Sequence, residues 1–90
     1  MKLILVNMKK INWQNRALRQ LRKIKSKAER IKIMNAVRQL ETFPDCPNVK
    51  KLKNRDDYRL RVGRWRVIFT EQLEIIVIEE VKQRNEHTYA

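Results

Sequence analysis

The chain has 90 residues and a net charge of +12, from 22 Lys and Arg against 10 Asp and Glu. This length provides one small domain with a modest core and leaves no room for a second, so residues 1–90 are predicted to form a single domain. The basic charge indicates a polyanionic partner, with nucleic acid first. No membrane partner is expected, because no segment combines a long apolar face with a basic one.

Cysteine and histidine are too scarce for common structural sites. The single Cys46 cannot form an internal disulfide, and with one His87 it completes no usual zinc pattern. The apolar run near the N-terminus is too short for a signal sequence or a membrane span. We therefore expect a cytoplasmic protein that uses no metal and no other cofactor.

The first predicted elements are a strand and two helices. Residues 2–8 have the pattern of a buried strand, and Asn12 is predicted to cap a helix that ends near Ile24. The apolar residues of this helix recur at helical spacing; they are Trp13, Ala17, Leu18, Leu21 and Ile24.

The segment Ser26–Glu29 matches the capping-box pattern S-x-x-E and predicts the start of the second helix. Its predicted buried stripe consists of Ile31, Met34, Val37 and Leu40. Because the intervening turn is short, the two helices should form an antiparallel hairpin. Pro44 and Pro47 then end the helix and begin a loop.

The segment Tyr58–Phe69 predicts a β-hairpin with a two-residue turn at Gly63-Arg64. A two-residue turn that opens with Gly is typical of type II′ geometry. This turn fixes the register and places six apolar side chains on one face. The predicted apolar pairs are Val62 with Trp65, Leu60 with Val67 and Tyr58 with Phe69.

The other face of the hairpin carries Arg59, Arg61 and Arg66, with Arg61 directly across from Arg66. Like charges opposite each other destabilise a sheet, which indicates an anionic ligand, and the planar guanidinium suits phosphate. Alternation alone supports a solvated face equally well. The absence of acidic residues from the two predicted strands favours the functional interpretation.

The last predicted strand is Leu73–Val81, in which the run from Ile75 to Ile78 is apolar on both faces. Such a strand is expected to be covered on both sides. The element order is then a strand, two helices and three strands. This order predicts an α+β domain in which a mainly antiparallel sheet, with a three-stranded meander, packs against a helical hairpin.

Two other groups of residues are open to two interpretations each. Beyond the last strand, Tyr89 either stacks on a nucleobase or closes the core edge, and His87 is more typical of an exposed tail. Basic residues of the helical region form either a track for phosphates or an ordinary solvent face. These basic residues are Lys9, Lys10, Arg16, Arg19, Lys23, Lys27 and Arg30.

The sequence resembles the RelE/ParE superfamily of bacterial toxins from type II toxin–antitoxin pairs. The resemblance lies in Leu52-Lys53, the hairpin Tyr58–Phe69, the segment Ile76–Arg84 and Tyr89. The order of elements agrees along nearly the whole chain, whereas the N-terminal half is similar only in pattern.

The resemblance implies a small, metal-independent ribonuclease that enters the ribosomal A site and cuts mRNA. Arg59 and Arg61 match the first basic strand of the family, Arg66 matches the return strand, and Arg84 and Tyr89 match the C-terminal pair. Some relatives have lysines where this chain has the first two arginines, which stay charged and leave the proton-transfer groups open. The short tail, without an evident closing helix, is a second departure.

The implied reaction is attack by an RNA 2′-hydroxyl on the adjacent phosphate, which gives a cyclic phosphate and a free 5′-hydroxyl. Arg61 and Arg66 would stabilise the phosphorane, and Arg59 and Arg84 would position the backbone. Tyr89 would stack on a base or orient the nucleophile, and His87 is a candidate general acid or base. The predicted RNA-binding residues are Lys50, Lys51, Lys53, Arg55, Arg64 and Lys82.

Two alternatives share the fold or the charge. One is a ParE-like inhibitor of DNA gyrase without nuclease activity, and the other is a non-catalytic module that binds RNA or the ribosome. In either toxin interpretation the resemblance implies a cognate antitoxin, with a segment that folds on binding.

Overall fold

A computed structural model describes residues 8–84 and builds them into five strands, two α-helices and a short 3₁₀ turn. The elements are β1 (Lys10–Trp13), α1 (Asn15–Arg22), α2 (Lys27–Arg38), the 3₁₀ turn (Gln39–Thr42), β2 (Val49–Lys51), β3 (Tyr58–Val62), β4 (Trp65–Gln72) and β5 (Ile75–Gln83).

The strands form one sheet in the order β1-β5-β4-β3-β2. The pairs from β2 to β5 are antiparallel, and β1 lies parallel to β5 at one edge. Helix α1 packs against β5, and α2 lies nearest to β3. The predicted α+β class, the meander and the mainly antiparallel sheet are confirmed.

The start of the chain differs from the prediction. Apart from Met8, the predicted strand over residues 2–8 lies outside the described residues. The predicted cap Asn12 is instead a strand residue, because β1 spans Lys10–Trp13 and α1 begins at Asn15 after Gln14. Trp13 packs against the core from the end of β1, opposite Ile78. Its inward position explains why it fits the helical spacing without belonging to the helix.

The predicted start of α2 is confirmed, but its buried stripe is partly wrong. The Ser26 hydroxyl accepts a hydrogen bond from the Glu29 backbone N–H at 3.2 Å. Val37 and Leu40 are buried, whereas Ile31 and Met34 are 46% and 51% exposed. Ile33 is fully buried instead, so the buried face follows the spacing i, i+4, i+7 from that residue.

The predicted register of the β3–β4 hairpin is confirmed in all its apolar pairs and in the facing pair Arg61–Arg66. Gly63 has a φ of 57°, as the first central position of a type II′ turn requires. A side chain there would also meet the end of Lys32, because an added Cβ lies 3.3 Å from the Lys32 Nζ.

Strand β5 contains a β-bulge. Ile68 pairs with Glu80 and Phe69 with Ile78, which leaves Glu79 without a partner in the β4–β5 register. The strand begins at Ile75 rather than at the predicted Leu73, which has a φ of 58° between β4 and β5. The bulge shifts the alternation by one residue, so that Val81 joins the core despite the odd spacing from Ile78.

We call the sheet face that packs against the helices the inner face, and the opposite one the outer face. The inner face includes three aromatic rings at the base of the hairpin. Phe43 meets Tyr58 edge-on with ring centres 4.9 Å apart and Phe69 edge-on at 5.4 Å, and Tyr58 stacks on Phe69 at 5.4 Å. These contacts fix the strands whose alternate residues point outward.

Candidate nucleic-acid interface

The strand register arranges polar and charged side chains of the outer face in two neighbouring rows that run across the sheet. The first row contains Asn48, Arg61, Arg66 and Lys82. The second row contains Lys50, Arg59, Ile68 and Glu80. The predicted residues Arg59, Arg61 and Arg66 are thus brought together with Lys50 and Lys82.

The first row concentrates positive charge. Arg61, Arg66 and Lys82 occupy three adjacent strands in direct cross-strand register. Facing side chains on adjacent strands have Cβ atoms about 5 Å apart, so the three cations fall within the reach of one or two backbone phosphates. The row itself contains no carboxylate, and the Glu80 carboxylate of the second row pairs with Lys82 at 3.4 Å.

A cleft lies beside both rows, and the second row also contains a buried apolar residue. Asn48, Val49, Lys50, Arg59 and Arg61 line a cleft of about 300 Å³ where β2 meets β3. Arg59 is half-buried and Arg61 is exposed. Ile68 lies opposite Arg59 and is only 4% exposed. Cations held beside a buried apolar group interact more strongly with an anion than fully solvated ones, because the local dielectric constant is lower.

Within residues 8–84, the bulge of β5 places the carboxylates of Glu79 and Glu80 on the outer face, and sequence reasoning missed both. Glu79 accepts a hydrogen bond from the Thr70 hydroxyl at 3.3 Å. The Glu80 side chain is 18% exposed, and its Oε1 lies 3.4 Å from both the Lys82 Nζ and the Arg16 Nη2. The change of apolar spacing from two to three between Ile78 and Val81 is the sequence signal that could have located the bulge and these side chains.

Two acidic residues that follow the predicted hairpin in the sequence, Glu71 and Glu74, lie elsewhere. Glu71 forms an ion pair with Lys9 at 2.8 Å, and Glu74 lies in the turn between β4 and β5, where its carbonyl accepts from the Lys10 N–H. Neither carboxylate belongs to the two rows of the outer face.

Other predicted residues lie at the ends of the hairpin. Arg64 turns toward α2, where it pairs with Glu29 at 3.2 Å and lies 5.7 Å from the centre of the Trp65 ring system. Arg84 is half-buried and directly follows β5, and its backbone N–H donates to the Arg64 carbonyl at 2.7 Å. Residues 87 and 89, the predicted His and Tyr of the site, lie outside the described residues.

The cations between β2 and β3 are mostly held by local contacts. The Lys51 Nζ donates to the Arg55 carbonyl and lies 5.9 Å from the centre of the Tyr58 ring. Arg55 pairs with Asp57 at 2.6 Å. Lys53 is exposed in the same loop. Of the predicted RNA-binding residues near β2, Lys50 alone belongs to the two rows.

The basic residues of the helical region are also partly used by the fold. Arg16 pairs with Glu80 at 3.4 Å and Lys9 with Glu71 at 2.8 Å. Arg30 donates to the Ile24 carbonyl and, at 3.2 Å, to the Lys25 carbonyl. These bonds satisfy backbone carbonyl groups in the segment that follows α1. These contacts favour the structural interpretation of this group over a continuous phosphate track.

Within residues 8–84, no group of three or more His, Cys, Asp and Glu side chains is placed to hold a metal ion. The same part of the chain contains no helix with the length and apolar character needed to cross a membrane. Burial raises the pKa of the Cys46 thiol, and the nearby Asp45 carboxylate adds to the effect.

The comparisons with known proteins concern the family and the fold. The model of the ParE toxin family of type II toxin–antitoxin systems (parDE) matches residues 11–87. RelE in the archaeal RelE–RelB complex of Pyrococcus horikoshii OT3 is 25% identical, with a TM-score of 0.74 over 88% of this chain and 98% of that chain. No match is found among curated protein sequences.

Two further solved structures share the fold at lower identity. The toxin–antitoxin complex RelBE2 of Mycobacterium tuberculosis is matched at 18% identity and a TM-score of 0.75, over 86% of this chain and 99% of that chain. The isolated E. coli RelE toxin is matched at 17% identity and a TM-score of 0.70, over 90% of this chain and 92% of that chain.

Proposed function

We propose that this chain, which belongs to the family of ParE toxins of type II toxin–antitoxin systems, is a toxin that inhibits translation by cutting mRNA on the ribosome. The observation that carries this proposal is the first row of the outer face, where Arg61, Arg66 and Lys82 stand side by side. Such a row suits the RNA backbone, because guanidinium and ammonium groups in register present several charged donors to adjacent phosphates.

The proposed reaction needs charge stabilisation more than it needs a cofactor. Attack of a 2′-oxygen on the adjacent phosphorus places extra negative charge on the phosphorane oxygens. Arg61 and Arg66 donate to those oxygens from positions that the hairpin fixes in advance, and preorganised donors of this kind provide large catalytic effects. Arg59 and Arg84 position the neighbouring phosphates.

The residues beyond the described part keep the roles that the resemblance implies. Tyr89 would stack on a base or orient the attacking hydroxyl, and His87 would exchange a proton. Lys50 and Lys82 extend the phosphate-binding surface from either side of the arginines. Lys51, Lys53, Arg55 and Arg64 are assigned a smaller contribution: the first, third and fourth are held by contacts within the fold, and Lys53 lies outside the two rows.

We also propose that a cognate antitoxin controls the toxin in the cytoplasm. Several solved relatives are complexes of RelE with RelB. An antitoxin segment with acidic residues would compete with RNA for the outer face and would fold as it binds.

Inhibition of DNA gyrase without nuclease activity is the second candidate. The observation in its favour is that the matching family model is that of the ParE toxins. The first row of the outer face supports RNA cleavage. The fold, which both kinds of toxin share, favours neither activity over the other.

The deciding experiment offers the purified protein two targets. Programmed ribosomes are followed by mapping mRNA ends, and gyrase is followed by supercoiling of plasmid DNA. We expect cleavage of A-site codons and unchanged gyrase activity. Arg66→Ala should reduce cleavage by about 10²–10³-fold, and Arg19→Ala, which removes an exposed arginine of α1, serves as the matched control. Intact mRNA together with inhibited supercoiling would replace the proposal by the gyrase function.

A further inference from the structure

The Glu80 carboxylate directly contacts Lys82, a residue of the first row. It stands in the second row beside Lys82, and the distance from its Oε1 to the Lys82 Nζ is 3.4 Å. Lys82 lies directly across from Arg66. Glu80 is therefore a diagonal neighbour of Arg66, and long side chains at diagonal positions reach each other.

The proposed reaction requires a group that accepts the proton of the attacking 2′-hydroxyl. Arginine cannot lose its proton in a protein, and the Lys82 ammonium has no acceptor. Of the two carboxylates that the bulge places on the outer face of the described residues, Glu79 is bonded to Thr70, whereas Glu80 adjoins the first row. We propose that Glu80 is the general base of this toxin, an inference that rests on the proposed ribonuclease function.

The step is balanced without a co-reactant. The 2′-oxygen forms a bond to phosphorus while its proton passes to a Glu80 carboxylate oxygen. The bond from phosphorus to the 5′-oxygen then breaks, and the leaving oxygen takes a proton from the general acid of the proposed function or from solvent water. The products are a 2′,3′-cyclic phosphate and a 5′-hydroxyl, and Glu80 returns its proton to solvent.

Neighbouring elements hold this carboxylate in place. Arg16 of α1 contacts its Oε1 at 3.4 Å, as does Lys82 of the same strand, and Ile68 of β4 lies opposite. The other charged side chains of the two rows are Arg66, Arg61, Arg59 and Lys50, and Glu79 precedes Glu80 in the bulge. The cations come from both sides, so the carboxylate is anchored while its side chain remains 18% exposed for substrate.

The bulge in β5 explains why the carboxylate points outward. An unbroken alternation from Ile76 and Ile78 would turn Glu80 toward the core and Val81 toward the outer face. The extra residue, Glu79, reverses this order. Bulges redirect side chains in this way, and they recur beside active sites.

The test is single-turnover cleavage of ribosome-bound mRNA as a function of pH. Glu80→Gln keeps the size of the side chain and removes the base, and Glu79→Gln removes the same charge one residue away. We expect Glu80→Gln to reduce the rate by about 10²–10⁴-fold and to abolish the fall in rate at acidic pH, where a carboxylate base becomes protonated. Glu79→Gln should keep the wild-type profile, and Glu80→Asp should restore part of the rate.

Every other outcome contradicts either the assignment of Glu80 as general base or the proposed ribonuclease function. If Glu80→Gln cleaves at the wild-type rate and profile, Glu80 is not the base although the ribonuclease function stands. If both variants lose rate equally and keep the acidic limb, the carboxylates have a structural role, and the inference fails. If the wild-type protein does not cleave mRNA, the proposed function and the general base fail together. Circular dichroism and the melting temperature confirm that each variant is folded.

Discussion

The two faces of the sheet are built from the same strands and differ in what stabilises them. The inner face buries apolar pairs such as Leu60–Val67 against the helices. The outer face sets Arg61 against Arg66 in the same hairpin. Burial stabilises the first arrangement, and like-charge repulsion opposes the second. The fold therefore depends on one face, while the other keeps a like-charge pair that an anionic ligand would stabilise.

The largest expected effect on stability comes from the inner face. Phe69 is fully buried and touches both Phe43 and Tyr58. Phe69→Ala should reduce the free energy of unfolding by about 3–5 kcal/mol, since it removes these contacts and leaves a cavity. Urea denaturation measures the change. Thr70→Ala, on the outer face of the same strand, is the control, and an equal loss there would contradict the distinction between the faces.

The outer face should separate activity from stability. Arg61→Ala removes one of two facing cations, so we expect cleavage to fall by about 10²–10³-fold. The free energy of unfolding should rise by about 0.2–1 kcal/mol, because the like-charge pair is relieved. Cleavage assays and urea denaturation of the same preparation test both parts. A clear loss of stability would show that Arg61 supports the fold.

The turn that joins β3 and β4 should be sensitive to its backbone conformation. Gly63 has a φ of 57°, a conformation that costs other residues about 1–2 kcal/mol. Gly63→Ala should therefore lower the free energy of unfolding by about that amount. The control is Arg64→Ala at the next turn position, whose exposed ion pair with Glu29 contributes little. Equal effects of the two changes would contradict the backbone explanation.

The smallest effect concerns Cys46, which packs against the core from the loop before β2. Burial and the Asp45 carboxylate raise the pKa of its thiol. In the folded protein, alkylation by iodoacetamide should therefore need a higher pH than in urea, because the thiolate is the nucleophile. The stability linked to this thiol is present below its unfolded pKa and is lost as the pH rises through the folded pKa. Identical pH profiles in both states would contradict this prediction.

The hairpin was predictable because its determinants are local. Gly63 specifies the turn, and strict alternation on both sides specifies the register. The same pattern predicted that Arg61 and Arg66 lie on the outer face. It therefore predicted the part of the first row that belongs to β3 and β4. Local patterns also gave the start of α2, since the Ser26 cap needs only the first turn of the helix.

The sequence predictions were wrong where contacts between residues far apart in the chain determine the structure. Trp13 fits both a helix and a strand, and its pairing with Ile78 settles the choice. The orientation of α2 depends on the sheet beneath it, which buries Ile33 and leaves Ile31 exposed. Glu80 was missed because its position depends on a bulge between β4 and β5, and a strict two-residue period hides such a feature.

The parallel pairing of β1 with β5 has a consequence for folding kinetics. It joins Lys10 to Ile75, 65 positions later, and closing a loop of that length costs about 4 kcal/mol of chain entropy. The hairpin β3–β4, with its two-residue turn, has almost no such cost. We therefore expect the hairpin to form early and the β1 edge to form late. Substitutions in β1 should then accelerate unfolding and leave the folding rate nearly unchanged.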